Sequence, residues 1–361
     1  MVYKDTHKTS DGRCYYFQVM INGNRFHSKR YLTRKEALDE EAKYILNHKK
    51  VDSVKFTVVA ECFFDEIKKV RKLSTYQTYL DVYRKHIKPY FEDYDLNSIN
   101  ILALKNYREE CLKRAYSTRY LNKINNVLNL ILDYASIYGF TNLNKTLGNY
   151  QEKKDRIVTE KIKYMTYEEY LRFISVIDDI TYKTLFMFLY LTGVRIGECL
   201  ALRFSDIKND EILVNKTLYT KIKGTYTITS TKNNLNRVIK MDKSLKLQLN
   251  EYISYMESFT DFSSDWFLFG GPRYLAPTTI ARYKHKYFEL ANVPEITLHE
   301  FRHSHVSLLI NEYLKTGNTD TTKFFLMMSQ RLGHTVDVMQ RTYMHLFPQT
   351  QDSIVDILNN L

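Results

Sequence analysis

The sequence predicts a multidomain α+β protein in which helices predominate and short strands form small antiparallel sheets. Three observations support this. The chain has 361 residues, more than the roughly 100–200 residues of a usual single domain. Turn signals and aromatic or β-branched residues cluster in residues 1–52, whereas apolar residues recur at helical spacing over residues 56–140. Strand-like runs then interrupt a second, mainly helical region over residues 165–361.

Residues 1–52 are predicted to form three short strands followed by a helix. Ser10-Asp11-Gly12 and Asn22-Gly23 are hairpin turn signals, because Asn-Gly readily adopts the positive φ of a two-residue turn. Strands are expected over residues 14–21 and 24–32. Thr33 and Glu36 form a capping box that begins the helix. Its apolar stripe consists of Ala37, Leu38, Ala42, Ile45 and Leu46.

Residues 53–150 are predicted to form an all-helical domain of four to five helices. Ser74 or Thr75 can cap one helix, which is expected to end near Pro89. A linker is predicted over residues 151–164, within the polar run from Lys145 to Lys163. Beyond it, helices are expected at 166–177 and 182–191 and strands at 211–218, 225–230 and 237–241. The remainder to residue 361 is predicted to be helical, with an interrupting loop marked by Pro272 and Pro277.

Charge indicates a polyanion or an acidic surface as the partner. Fifty-three Lys and Arg residues against 41 Asp and Glu residues give a net charge of +12. Nine of these twelve excess charges lie in the first 150 residues. The predicted last strand of the N-terminal sheet and the start of its helix carry a basic group that forms either a solvated face or a DNA-binding surface. This group consists of Arg25, His27, Lys29, Arg30, Arg34 and Lys35.

Other function classes are excluded by composition. With 44% hydrophobic and 26% charged residues, the chain can bury real cores and is not a disordered tail. The four cysteines lie about fifty or more residues apart, which argues against a thiolate zinc site or a disulfide framework. Neither a signal peptide nor a membrane-spanning apolar run is found. A cytoplasmic protein with reduced thiols is expected.

One stretch near the C-terminus offers metal chemistry as an alternative. His299-Glu300-Phe301-Arg302-His303 matches the H-E-x-x-H pattern, in which two imidazoles bind Zn²⁺ and the glutamate acts as base. A zinc peptidase would need a third ligand, which no downstream spacing supplies. The guanidinium of Arg302 would also oppose a bound cation.

Two arginines favour phosphate chemistry instead. Arg195 lies at the start of a predicted helix and Arg302 lies in the histidine-rich region. Two guanidiniums can each present paired donors to the non-bridging oxygens of one phosphodiester. They would neutralise the charge that develops in a pentacoordinate transition state.

Four motifs occur in an order that resembles the tyrosine recombinase family, most closely the integrases of temperate phages and of related integrative elements or genomic islands. The motifs cover about residues 165–347. They read Gly193-x-Arg195-x-x-Glu198, Leu298-His299-x-x-Arg302-His303, Leu332-Gly333-His334 and Thr342-Tyr343-x-His345-Leu346.

The resemblance implies a role for each matching residue. Arg195 and Arg302 would bind the scissile phosphate, and Tyr343 would be the nucleophile that forms a 3′-phosphotyrosyl link. His299 would be a general base or proton shuttle, and His334 would donate a hydrogen bond to the phosphate. His303 and Glu198 would be supporting residues. No metal and no other cofactor are implied.

A lysine in a hairpin of the catalytic domain protonates the leaving 5′-oxygen in this family. Residues 225–241 are predicted to form that hairpin, with Lys232-Asn233-Asn234 as its turn, so Lys232 is the expected general acid. Lys221, Lys223 and Lys240 flank the same strands, and a short slip in register would select one of them.

The same resemblance assigns the domains and the partners. Residues 1–52 would bind arm-type DNA, residues 53–150 core-type DNA, and residues 165–361 would form the catalytic domain. The implied function is integration and excision of a mobile element, with double-stranded DNA as partner and a tetramer as the active assembly. An excisionase and a host DNA-bending protein are candidate accessory partners. The alternative from the binding class is a non-catalytic DNA-binding regulator on the same scaffold.

Overall fold

The computed structural model describes residues 2–7, 9–21, 24–48, 54–141, 147–151, 162–220, 225–231, 235–317 and 320–347. The chain divides into two compact units, Met1–Ile157 and Val158–Leu361. Both units combine helices with small antiparallel sheets, which confirms the predicted α+β class. The predicted linker over residues 151–164 falls largely outside the described residues.

The N-terminal unit begins with the predicted three strands and helix. Strands β1 (Val2–Lys4), β2 (Tyr15–Ile21) and β3 (Asn24–His27) form an antiparallel sheet in that order, and helix α1 (Arg34–His48) packs against it. Thr33 and Glu36 form the predicted capping box. The predicted strand over 24–32 is wrong in its length: β3 ends at His27, and only Tyr31 bridges back to Tyr15. Of the predicted apolar stripe, Ala37 is buried, whereas Leu38 is exposed.

Five helices follow in the N-terminal unit, as predicted. They bury an aromatic and aliphatic core that includes Phe56, Phe91 and Leu128. A short 3₁₀ helix, Leu96–Ser98, lies just before the helix that begins at Ile101. The five are α2 (Phe56–Val70), α3 (Leu73–Val82), α4 (Lys88–Phe91), α5 (Ile101–Leu112) and α6 (Thr118–Ile137).

The expected helix end near Pro89 is confirmed, because the helix passes through this position and ends at Phe91. A π-helical turn, Tyr83–Ile87, joins α3 directly to α4, and the Lys88 N–H donates to the carbonyl of Tyr83. Pro89 then occupies the first turn of α4, where a missing N–H costs little. A π-turn of this kind shifts the hydrogen-bond ladder by one residue and accommodates the proline.

The C-terminal unit is built mainly from eight helices in its described part. One core includes Phe173, Phe186 and Phe301, and a second includes Phe325, Met339 and Tyr343. No helix within the described ranges is long and apolar enough to cross a bilayer. The eight are α7 (Tyr167–Ser175), α8 (Ile180–Thr192), α9 (Ile196–Cys199), α10 (Lys243–Glu257), α11 (Pro277–Ala291), α12 (Glu300–Lys315), α13 (Thr321–Leu332) and α14 (Val336–Tyr343), with 3₁₀ helices at Phe204–Asp206 and Met344–Leu346.

Five strands form two small sheets in this unit. Strands β4 (Ile207–Lys208), β5 (Glu211–Val214) and β8 (Arg237–Lys240) form one sheet in the order β4-β5-β8. Strands β6 (Lys216–Tyr219) and β7 (Thr227–Ser230) form the other. The predicted single strand over 211–218 is therefore divided at Asn215.

The predicted hairpin over residues 225–241 is wrong in its pairing. Within the described strands, β7 pairs with β6 and β8 pairs with β5, so β7 and β8 are not each other's partners. Val214 pairs with Arg237 and Lys216 pairs with Ser230. A single residue, Asn215, lies between strands β5 and β6 in the sequence. Residues 231–236 lie between their partners, β7 and β8. Alternating sequence patterns predict strands but do not select their partners.

Candidate active site

Arg302 connects two segments that lie far apart in sequence. Its side chain is 1% exposed, and it projects from the first turn of α12. Nη1 donates to the carbonyl of Gly193 at 2.9 Å, and Nη2 donates to the carbonyl of Leu332 at 2.8 Å. A Cβ at Gly193, which has φ of 67°, would lie 2.6 Å from the ring of His305. Glycine is therefore required for this close packing.

The charge of Arg302 is buried but retained at neutral pH. Burial, reinforced by the positive charge of Arg195, lowers its pKa from 12.5 to about 9. Its Nε is buried and has no hydrogen-bond partner among the described residues. Such an unpaired buried donor costs about 1–3 kcal/mol, more for a charged group, and an anion bound beside it would remove that cost.

Arg195 precedes α9 and is held by a glutamate one helical turn later. Its Nη1 donates to Oε1 of Glu198 at 2.8 Å, and its backbone N–H donates to Oε2 at 3.1 Å. The Arg195 side chain is 19% exposed, so part of the guanidinium is accessible. Its charge contributes to lowering the pKa of both Arg302 and His334, so the three groups lie within electrostatic reach of one another.

His334 follows the helix-ending Gly333, whose φ is 65°. Burial, followed by the charges of Arg302 and Arg195, lowers the pKa of His334 to about 3. The imidazole is therefore neutral at pH 7. Its Nδ1 is buried and lacks a hydrogen-bond partner in the described part of the chain. Two predicted catalytic residues, Arg302 and His334, thus each have one unsatisfied polar atom in the same region.

Tyr343 ends helix α14 with its side chain 2% exposed. Its Oη lies 2.6 Å from Nδ1 of His303. Burial, together with the neighbouring imidazole of His299, lowers the pKa of His303 to about 4, so this ring is neutral at pH 7. The phenol O–H donates to Nδ1 in the tautomer of His303 that carries its proton on Nε2. Burial raises the pKa of Tyr343 to about 12, although the charge of Arg302 opposes this effect.

The structure brings five of the six predicted catalytic residues into one cluster. His299 contacts His303 with ring centroids 5.2 Å apart, and the others are linked as described above. The five are Arg195, His299, Arg302, His334 and Tyr343. The sixth, Lys232, lies outside the described residues, as do Lys221 and Lys223. Lys240 is exposed on β8, and its carbonyl accepts a hydrogen bond from Arg331.

The arrangement does not support the zinc alternative. Nδ1 of His303 is hydrogen-bonded to Tyr343. Across the described ranges, no group of three or more His, Cys, Asp or Glu side chains is placed to hold a metal ion. His299 and His303 therefore have no third ligand there, and the charge of Arg302 lies between them in sequence.

The predicted N-terminal basic group is mostly accessible. Arg25, His27, Lys29, Arg34 and Lys35 are exposed. Arg30 differs from the rest, because it is only partly exposed and forms an ion pair with Asp5. Its charge is thus already compensated within the unit.

Comparison with known proteins identifies the family. The sequence profile described as "Phage integrase family" matches residues 163–350, which contain all five clustered residues. A second profile, "Phage integrase, N-terminal SAM-like domain", matches residues 55–112. The ICEBs1 integrase of Bacillus subtilis (strain 168) is 30% identical over 94% of this chain and 94% of its own length. The chain belongs to the phage integrase family.

Other relatives agree with this membership. A protein described as "Tyrosine recombinase XerC-like" from Caldanaerobacter subterraneus is 24% identical over 99% of each chain. The Tn1549 transposon integrase, solved with transposon right end DNA, has the same fold with a TM-score of 0.61 at 18% identity, covering 84% of this chain and 99% of that one. The lambda integrase tetramer bound to a Holliday junction gives a TM-score of 0.57 at 15% identity, covering 91% and 95%. This phage integrase family member is a site-specific tyrosine recombinase.

Two polar residues of this integrase site were not among the predicted catalytic residues. His303, predicted as a supporting residue, makes the hydrogen bond to Tyr343. Its spacing of four residues from His299 places both rings on one helix face, which is a signal readable from sequence. Arg237 is absent from the predicted set, yet it donates to Glu198 at 2.6 Å. No local motif indicates that long-range pair.

A pH-dependent loss of stability is expected from buried His305. Burial, then the charge of Arg331, lowers its pKa from 6.5 to about 3. Its Nε2 accepts from Arg331 and its Nδ1 donates to the carbonyl of Tyr190, an arrangement that requires the neutral ring. The unfolded chain therefore binds the extra proton between pH 6.5 and about 3, and stability falls as the pH is lowered through this range. At pH 5 the expected loss from this residue is about 2 kcal/mol.

Urea unfolding at pH 7 and pH 5 measures this effect. The pH-dependent difference should shrink by about that amount in His305→Gln. An unchanged difference in the variant would show that His305 is not the titrating group.

Proposed function

We propose that this recombinase cleaves and rejoins double-stranded DNA through Tyr343, and thereby integrates and excises a mobile element. The observation that carries the proposal is the burial of the Tyr343 hydroxyl in the cluster that holds Arg302. Tyr343 lies in a recombinase motif, near the guanidinium of Arg302 and 2.6 Å from the imidazole nitrogen Nδ1 of His303.

The proposed reaction is an in-line displacement at phosphorus. Arg195 and Arg302 bind the non-bridging oxygens and stabilise the negative charge of the transition state. The Tyr343 oxygen forms a bond to phosphorus as the bond from phosphorus to the 5′-oxygen breaks. The 5′-oxygen takes a proton from Lys232, and the 3′-phosphotyrosyl link retains the phosphodiester energy. Rejoining reverses these steps without ATP.

The histidines supply the path for the phenolic proton. Nδ1 of His303 lies 2.6 Å from the Tyr343 hydroxyl oxygen, so we assign it as the first proton acceptor. His299, in contact with His303, is the next group in the relay. The unpaired Nδ1 of His334 supports the role of a hydrogen-bonding group toward the bound phosphate. No metal enters any of these steps.

A nicked duplex that carries the attachment site tests the proposal. Cleavage beside the nick releases a short fragment that diffuses away, so the covalent intermediate accumulates. The full chain should give an SDS-stable protein–DNA adduct in the presence of a chelator. Failure to form any adduct on this duplex would contradict the proposal.

The domain roles follow the same proposal. Residues 1–52 bind arm-type sites, residues 53–150 bind core-type sites, and residues 165–361 carry out catalysis, in a tetramer on DNA. The excess of positive charge in the first 150 residues and the exposed basic group on the N-terminal sheet and helix support this division. An excisionase and a host DNA-bending protein would adjust the assembly on the long attachment site.

Deleting residues 1–52 should separate cleavage from recombination. Cleavage of a short core-site duplex should change by less than about threefold, because the catalytic cluster lies wholly in the C-terminal unit. Recombination of a full attachment site should fall at least about 100-fold, since the second DNA contact that multiplies affinity is lost. Gel assays of both reactions measure this. A parallel fall of both activities would refute the division of roles.

A further inference from the structure

We propose that Arg237 is a positioning residue that keeps Arg195 oriented and positively charged toward the scissile phosphate. This inference rests on the proposed function, in which Arg195 binds that phosphate. Arg237 lies on strand β8, outside the four recombinase motifs. Three observations carry it: the contacts of Arg237, the charge balance around Glu198, and the segments that these contacts join.

The guanidinium of Arg237 donates two hydrogen bonds to the carboxylate of Glu198. Nη2 donates to Oε2 at 2.6 Å, and Nη1 donates to Oε1 at 3.3 Å. The same carboxylate holds Arg195, as described above. Each carboxylate oxygen therefore receives one hydrogen bond from each of the two arginine residues. Such a bidentate pair fixes the orientation of the Glu198 carboxylate as well as its distance from Arg237. A lysine could not reproduce this geometry.

The charge balance explains why a second arginine is needed. Glu198 is 1% exposed, and the Arg237 side chain is 7% exposed. Burial opposes ionisation of Glu198, but the hydrogen bond and charge of Arg237, and then the charge of Arg195, lower its pKa, so it is ionised. Glu198 with Arg195 alone would be a neutral ion pair. Adding Arg237 gives the three groups a net charge of +1, which is available to the phosphate.

Arg237 also fixes the loop that carries His334. Its Nε donates to the carbonyl of Arg331 at 2.9 Å, close to the end of α13. A Cβ on Gly333 would lie 3.2 Å from Nη1 of Arg237, so the glycine allows this close approach. Arg237 thus joins β8, the turn that presents Arg195 and the segment that presents His334.

Loss of Arg237 should therefore misdirect Arg195. The carboxylate of Glu198 would then be free to take both Nη groups of Arg195 in a fork of its own. Donors would be withdrawn from the phosphate, and the local positive charge would be cancelled. The defect should depend on the charge of the phosphate, which distinguishes it from a general loss of structure.

A methylphosphonate substrate tests this dependence. It replaces one charged non-bridging oxygen at the scissile position with a methyl group, so neutralisation by Arg195 is no longer needed. Single-turnover adduct formation is measured on matched nicked duplexes with phosphate or methylphosphonate. For Arg237→Gln, the rate on phosphate should fall about 100-fold. The rate on methylphosphonate should fall less than about fivefold, because the neutral substrate does not require the charge.

A double variant shows whether the two arginines act together. On phosphate, Arg195→Gln/Arg237→Gln should react no more than about threefold slower than Arg195→Gln alone. Equal losses on both substrates, or multiplying losses in the double variant, would overturn the inference. Where Arg237→Gln does not fold, Arg237→Lys keeps the charge but loses the paired donors, so its loss on phosphate should be smaller than about 100-fold and should still exceed its loss on methylphosphonate.

Arg203→Gln is the matched control. Arg203 lies in the same unit and donates to the carbonyl of Asp265, away from Glu198. Its rates should be unchanged on both substrates, and a loss there would mean that the assay reports stability. Failure of the proposed function would appear differently, as a wild-type chain that gives no Tyr343-dependent adduct on phosphate.

Discussion

Replacing Tyr343 with phenylalanine is expected to abolish the covalent protein–DNA adduct while leaving DNA affinity unchanged. The substitution removes one oxygen and retains the ring, which packs in a core with Phe325 and Met339. The adduct rate should fall at least about 10⁴-fold, as expected when a nucleophile is removed. A gel assay with the nicked duplex measures the adduct, and a mobility-shift assay measures binding.

Tyr313→Phe is the matched control for this variant. Tyr313 lies partly buried against the same core, and its hydroxyl donates to the carbonyl of Asp320. The control should retain the wild-type rate. An adduct that persists in Tyr343→Phe would mean that another residue attacks the phosphorus.

Replacing Arg302 with lysine is expected to cause the second large loss of adduct formation. In Arg302→Lys, the adduct rate should fall about 10²–10³-fold, comparable to removal of a preorganised donor at a transition-state oxyanion. A lysine retains the charge but cannot bridge the carbonyls of Gly193 and Leu332 and also face the phosphate. Rates are measured under single turnover, well below the melting temperature of the variant. A rate within about tenfold of wild type would exclude Arg302 as a phosphate ligand.

The variant Arg331→Lys is the control that distinguishes a loss of catalysis from a loss of stability. Arg331 also bridges two backbone carbonyls, those of Leu191 and Lys240, and it donates to His305. Arg331→Lys should lower the melting temperature but leave the adduct rate of the folded protein within about tenfold. Equal catalytic losses in the two lysine variants would show that the effect of Arg302 is structural.

The clustered residues could be predicted from sequence because they sit in motifs. Arg195, Arg302 and Tyr343 are far apart along the chain, and only the order and spacing of the motifs indicate that they converge. The capping box at Thr33 and Glu36 was predictable for a simpler reason, since it depends on neighbours within one turn.

Other features could not be predicted because they depend on tertiary pairing. The alternation over residues 211–241 predicts strands, but it does not predict that β7 pairs with β6 and β8 with β5. The contact of Arg237 with Glu198 follows from that pairing and has no local signal. At Pro89, the preceding π-turn accommodates the proline in the first turn of α4, which ends at Phe91.

Mass spectrometry of the trapped adduct tests most directly whether Tyr343 is the residue that attacks the scissile phosphate. The full chain is reacted with the nicked duplex and digested with a protease and a nuclease. The peptide that retains a nucleotide is then sequenced by fragmentation. The nucleotide is expected on the phenolic oxygen of Tyr343. A nucleotide on any other residue, or no modified peptide from a sample in which DNA was cleaved, would contradict the proposed site.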